Sequence, residues 1–111
     1  MQKDDMVYVG HMLDTARRIV DKVAGKSRSE FDANDNLRLA LTHLIQTFGE
    51  AARRVSLACQ QAHPDVPWKK IVGMRHKVVH DYLHTDFDIV WDVATVNLPP
   101  LVAELEKIVP E

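Results

Sequence analysis

Cysteine is almost missing from this chain. Cys59 stands alone, so no disulfide can form within the chain, and a reducing compartment, the cytoplasm, is expected. No apolar run approaches the ~18 residues of a membrane span, which argues against a spanning helix. Met1-Gln2-Lys3-Asp4-Asp5 is polar and carries no signal-like apolar segment. Repeats and low-complexity tracts are lacking. No segment alternates apolar with polar residues for long, so the period of a sheet strand is missing as well. Glycines number only four, so each asks for a local reason. What is present is an ordinary soluble composition, 46% hydrophobic and 27% charged, over 111 residues, which suits one domain with one core.

Charge of either sign is not in large excess. The formal net charge of −2 excludes a sequence-blind DNA coat, because little overall attraction to phosphate remains. The distribution is uneven, however. Between Val66 and His80 there are four Lys/Arg and no acid, whereas Asp81 to Glu111 holds seven acids and only Lys107 as a strong base. The basic stretch suits local anion binding, and the acidic tail suits either a basic partner or plain solvation.

The apolar residues are spaced as helices. Met6, Val9, Leu13, Ala16, Val20 and Val23 form one stripe, which Gly25 stops. Ser27-Arg28-Ser29-Glu30 offers a capping box, and the short helix after it carries Phe31 into the core. Leu37, Leu41, Leu44, Phe48, Ala51, Val55, Ala58 and Ala62 then predict one long helix to about His63. Gly49 inside it costs ~1 kcal/mol against alanine, which a close helix crossing would justify. Pro64 and Pro67 break the chain, and Pro67 opens the next helix, with Trp68, Ile71, Val72, Val78 and Val79 apolar. Thr85-Asp86-Phe87-Asp88 reads as a cap followed by an acid, and Phe87, Val90, Ala94 and Leu98 form a fourth stripe. Pro99-Pro100 kinks or restarts that helix, and Leu101, Leu105 and Ile108 continue it. The expected fold is an all-α, up-and-down bundle of four to five helices over residues 1–111. Met12, Leu83 and Trp91 are either further core or a dimer face.

Chemistry concentrates in Lys69-Lys70 and in Arg75-His76-Lys77-Val78-Val79-His80-Asp81-Tyr82. RNA carries its own nucleophile, the 2′-OH. Cleavage needs one group to take that proton and one to protonate the leaving 5′-oxygen, and histidine suits both because it titrates near working pH. A fixed positive charge must also meet the phosphate, which the planar arginine fork supplies. No metal is required. On an ideal helix Arg75 and His80 stand about 7.5 Å and about 140° apart, so they converge only if the helix ends or bends between them, or if two chains share one cleft.

Arg75-His76-Lys77-Val78-Val79-His80 resembles the R-(polar)-x3-H signature of HEPN-domain ribonucleases. With Asp81-Tyr82 it becomes R-x4-H-x-Y, the form of the HepT-like toxins of MntA–HepT modules. Gly49-Glu50-Ala51-Ala52, Val66-Pro67-Trp68-Lys69-Lys70-Ile71, Phe87-Asp88-Ile89-Val90-Trp91 and Leu98-Pro99 are similar to that family in order and spacing, so nearly the whole chain is covered. The resemblance implies a metal-independent endoribonuclease, a homodimer with Arg75 and His80 catalytic and His76 at the polar position. It implies a type VII toxin–antitoxin system. There a minimal MntA-like nucleotidyltransferase antitoxin moves AMP from ATP to Tyr82, which places bulk and charge beside the cleft. Lys69, Lys70, His76 and Lys77 are the expected RNA contacts, and no cofactor is expected.

Other readings stand beside this one. His76 and His80 lie four apart, with His84 four further on, which is metal-pair spacing on one helix face. No third Cys, Asp or Glu ligand joins them in a recognised pattern, and H-E-x-x-H is missing. His11, His43 and His63 read as structural or solvated, and Cys59 as a small buried hydrophobe. Glu50 is placed to pair with Arg75 or Arg53. Tyr82, without the resemblance, is a half-buried aromatic. The functional alternative is a non-catalytic helical module that binds nucleotide, RNA or the nucleotidyltransferase.

Overall fold

The structure, a computed structural model, describes residues 3–81 and 84–109. For residues 3, 79, 80, 81 and 84 only the main chain is described. The elements run α1 (Lys3–Val23), α2 (Arg28–Ala33), α3 (Asp35–Arg54), α4 (Leu57–Ala62), α5 (Trp68–Val78), β1 (Val79–Asp81), β2 (His84–Thr85), α6 (Phe87–Asp92), a π-helical turn (Val93–Asn97) and α7 (Leu98–Glu106). α1 packs against α3 and α7, and α3 packs against α5. The long helices therefore make the expected all-α bundle, with α2 and α4 as short additions.

The apolar stripes account for this arrangement. Val9, Leu13 and Ala16 of α1 and Leu41, Leu44 and Phe48 of α3 are buried, as are Leu98, Leu101 and Leu105 of α7. The capping box of α2 is present, with the Glu30 amide donating to Ser27 Oγ and the Ser27 amide donating to Glu30 Oε1, both at 3.1 Å. It delivers Phe31 fully into the core, worth roughly 1.5–3 kcal/mol. There Phe31 meets Trp91 at 5.0 Å between ring centroids and Phe87 edge-on at 6.4 Å. Met12 is fully buried and therefore serves the core, and Trp91 is half-buried against this cluster. Leu83 lies outside the described residues.

Three expectations need correction. The helix predicted to reach His63 ends at Arg54, and Ser56 caps a separate helix by accepting from the Cys59 amide at 3.2 Å. The cause is Asp5 of α1, only 2% exposed, whose carboxylate accepts from the Ser56 amide at 2.8 Å and the Ser56 hydroxyl at 2.7 Å. The break turns Cys59 inward and leaves Ala58 and Ala62 exposed. At the next helix, Asp86 rather than Thr85 caps α6, accepting from the Ile89 amide.

The third correction concerns the motif. α5 stops at Val78, whose carbonyl accepts from the Asp86 amide at 2.8 Å instead of from a following helical residue. Val79–Asp81 then pairs antiparallel with His84–Thr85. His76 and His80 thus do not share a helix face, and the metal-pair spacing loses its basis. Near the C-terminus the π-turn closes with the Leu98 amide bonded to the Val93 carbonyl, which widens the helix just ahead of Pro99 and Pro100 at the start of α7.

Candidate functional site

α5 is fixed at its start and along one face. Trp68 is buried, and its indole N–H donates to the His63 carbonyl at 3.0 Å. Ile71, Met74 and Val78 are buried one, two and three turns on. That leaves Arg75, His76 and Lys77 in the last turn, where the helix dipole favours cations. Arg75 faces α3. The crossing there is close, because a Cβ on Gly49 would stand 3.1 Å from the Ile71 carbonyl oxygen and 3.2 Å from Arg75 Cγ. This is the reason for a glycine in the middle of α3.

One residue on, Glu50 receives Arg75. Nη1 of Arg75 donates to Glu50 Oε2 at 2.7 Å. Arg53 also binds Glu50, through Nη2 to Oε1 at 2.7 Å and Nε to Oε2 at 3.2 Å, and Arg54 Nε reaches Oε1 at 3.4 Å. The bond from Arg53 is the main cause holding the Glu50 carboxyl down at about 2, against partial desolvation. The Arg54 bond and the Arg75 charge add to it. Three guanidinium groups on one carboxylate leave positive charge in excess. Arg75, with 43% of its side chain exposed, carries N–H donors beyond the one given to Glu50, a chemistry that suits an anion.

Arg75 and Glu50 line a groove of about 520 Å³ together with Tyr8 and His11 of α1 and His43, Gln46, Thr47 and Arg54 of α3. None of those other six was assigned to the site from sequence. A signal existed: positions 43, 46, 47, 50 and 54 follow the same 3-4 spacing as the apolar stripe beside them, which makes a polar stripe along α3.

The remaining expected residues are distributed differently. Lys69 and Lys70 are exposed and border a separate cavity with Leu57, Gln60, Pro67 and Trp68. His76 and Lys77 are exposed on α5. The main chain of His80 is in β1, two residues past the helix end, and its imidazole lies outside what is described. Tyr82 lies outside the described residues. Because α5 ends between Arg75 and His80, the angular argument for two chains sharing a cleft no longer applies. Among the described residues no group of three His, Cys, Asp or Glu is placed to hold a metal ion. No described helix is long and apolar enough to cross a membrane. Cys59 is buried beside Asp5, and burial pushes its thiol pKa up, away from nucleophilic use.

Comparison with known proteins adds a second line. A family model described as ribonuclease HepT-like matches residues 12–108. TTE0752 of Caldanaerobacter subterraneus subsp. tengcongensis, provisionally named an RNase, is 29% identical over 101 residues, covering 91% of this chain and 90% of that protein. MJ1216 of Methanocaldococcus jannaschii, named in the same way, is 26% identical over 97% of this chain and 89% of its own length. A protein of Thermococcus cleftensis named "Probable ribonuclease HepT" is 25% identical over 71% of this chain and 72% of its own. No solved structure matches the chain.

Proposed function

The chain belongs to the HepT-like ribonuclease family, and on that premise we propose that it is a metal-independent endoribonuclease with Arg75 and His80 as its working groups. The observation that carries the reading is Arg75 itself. A solvent-facing guanidinium is fixed by Glu50 at 2.7 Å over an open groove, five residues ahead of a histidine that follows the helix end. In the proposed reaction the RNA 2′-oxygen attacks the adjacent phosphorus while an imidazole takes its proton. The P–O5′ bond breaks, the 5′-oxygen gains a proton, and a 2′,3′-cyclic phosphate remains. Arg75 stabilises the charge that builds on the non-bridging oxygens. In a homodimer the two copies of His80 can divide the acid and base roles.

The same premise extends to control. We assign the chain the toxin role in a type VII toxin–antitoxin pair, with a partner nucleotidyltransferase as antitoxin. The Tyr82 hydroxyl would attack the α-phosphorus of ATP, forming a tyrosyl–AMP bond and releasing pyrophosphate. The added phosphate charge and adenosine bulk then oppose RNA at Arg75.

The decisive test is RNA cleavage in EDTA by wild type, Arg75→Ala and His80→Ala, with folding checked by circular dichroism. Cleavage by wild type alone supports the reading, and equal activity in all three sinks it. For the second step, wild type and Tyr82→Phe are incubated with ATP and the partner enzyme and weighed by mass spectrometry. An AMP adduct persisting on Tyr82→Phe places the modification elsewhere.

A further inference from the structure

We infer that the groove between α1 and α3 is a nucleotide subsite, holding the base and sugar of the RNA residue whose phosphate rests on Arg75. This deepens the proposed ribonuclease reading and rests on it. The first argument is continuity: Arg75, the phosphate ligand of that reading, is itself part of the groove wall. The second is size, since about 520 Å³ falls within the roughly 300–1,000 Å³ of small-ligand sites.

The third argument is the chemistry of the lining. Tyr8, His11 and His43 present flat rings suited to stacking on a base, an attraction that every base shares. Gln46 carries both a donor and an acceptor, the pair needed to read a base edge. The Thr47 hydroxyl donates to the His43 carbonyl at 3.0 Å, which leaves its lone pairs open to a sugar hydroxyl or a base amine. Arg54 and Arg75 stand at the Glu50 end, and the acid between them is already bound by three guanidiniums. The phosphate therefore belongs at that end and the base toward His43.

The subsite stops at one nucleotide. A neighbouring cavity shares His11, His43 and Thr47, but Asp14 and Asp21 line it together with Arg17 and Arg18. Arg17 is moreover bound to Glu106 at 3.1 Å. The cationic path is thus broken by acids just beyond the first pocket, and a second phosphate finds no clear seat there.

The test uses the full chain. The 5′-monophosphates AMP, GMP, CMP and UMP are titrated separately while the imidazole signals of His11 and His43 are followed by NMR. At least one is expected to shift both signals in a saturable way. Gln46→Ala should raise KM for RNA about five- to tenfold and flatten nucleotide preference beside the cut. His43→Ala, at an exposed position, should raise KM about tenfold. Nucleotides that leave both imidazoles unmoved overturn the proposal. So does a His43→Glu variant that lowers the sedimenting mass, because the groove would then be covered by a second copy of the chain. Saturable shifts in a protein whose Arg75→Ala variant still cuts RNA would uphold the subsite and sink the catalytic reading. Arg75-dependent cutting with an indifferent groove would do the reverse.

Discussion

Arg75 lies against Gly49, and its Cγ would stand 3.2 Å from any Cβ placed there. The same Cβ would come within 3.1 Å of the Ile71 carbonyl, which is backbone of a packed helix and cannot swing aside. Alanine would gain ~1 kcal/mol of helix propensity but would force α5 away from α3. Overpacking of this kind costs about 1–3 kcal/mol. Gly49→Ala is therefore expected to lower unfolding free energy by about 1 kcal/mol in urea titration. It should also reduce RNA cleavage, because the helix that moves carries Arg75.

Glu50 gives a pH signature. Its folded value of about 2 lies below the ordinary 4.5, chiefly through the bond from Arg53. The carboxylate thus contributes its full stabilisation above pH 4.5 and loses it as pH falls toward 2. Glu50→Gln removes that dependence. Urea midpoints measured between pH 5 and pH 2 should fall less steeply for the variant than for wild type. Parallel curves would show that the carboxylate is not held by its guanidinium neighbours.

Arg75→Lys separates charge from shape. Lysine keeps the positive charge but loses the planar fork that binds Glu50 with one edge and, in the proposed reaction, the phosphate with the other. Cleavage is expected to drop by about 10²-fold, the scale of losing one oriented donor. The exposed pair contributes little to folding, so stability should change by less than ~1 kcal/mol. A large loss of stability with proportionate loss of activity would point to a structural role only.

Asp5 tests the join between α1 and α4. Its carboxylate is buried and accepts from both the amide and the hydroxyl of Ser56. Asp5→Ala leaves these donors without that partner, at a cost of about 1.5–3 kcal/mol. Thermal and urea unfolding should both register it, while cleavage at temperatures where the variant is folded should be retained.

The bundle was legible because its signals are local and periodic. The stripes of α1 and α3, the capping box at Ser27, the crossing at Gly49 and the burial of Cys59 all follow from spacing and side-chain type. The errors have a different origin. α3 breaks at Ser56 because Asp5, 51 positions away, competes for its hydrogen bonds, and no window around Ser56 contains that information. α5 stops at Val78 because Asp86, across the hairpin, takes the last carbonyl. Of the groove lining, only Arg75 was visible in the motif, with Glu50 as its expected partner. The rest, from Tyr8 to Arg54, was hidden because attention to apolar spacing passes over a polar stripe with the same period.

Among the described residues, Arg53, Arg54 and Arg75 divide a single counterion among them. In the absence of a ligand, mobile ions from the solution must make up the deficit. Any polyanion that docks there displaces them, so its grip should weaken steadily as the buffer is made saltier, by roughly 0.7 of a logarithmic unit per tenfold salt for each phosphate of a single strand that is neutralised.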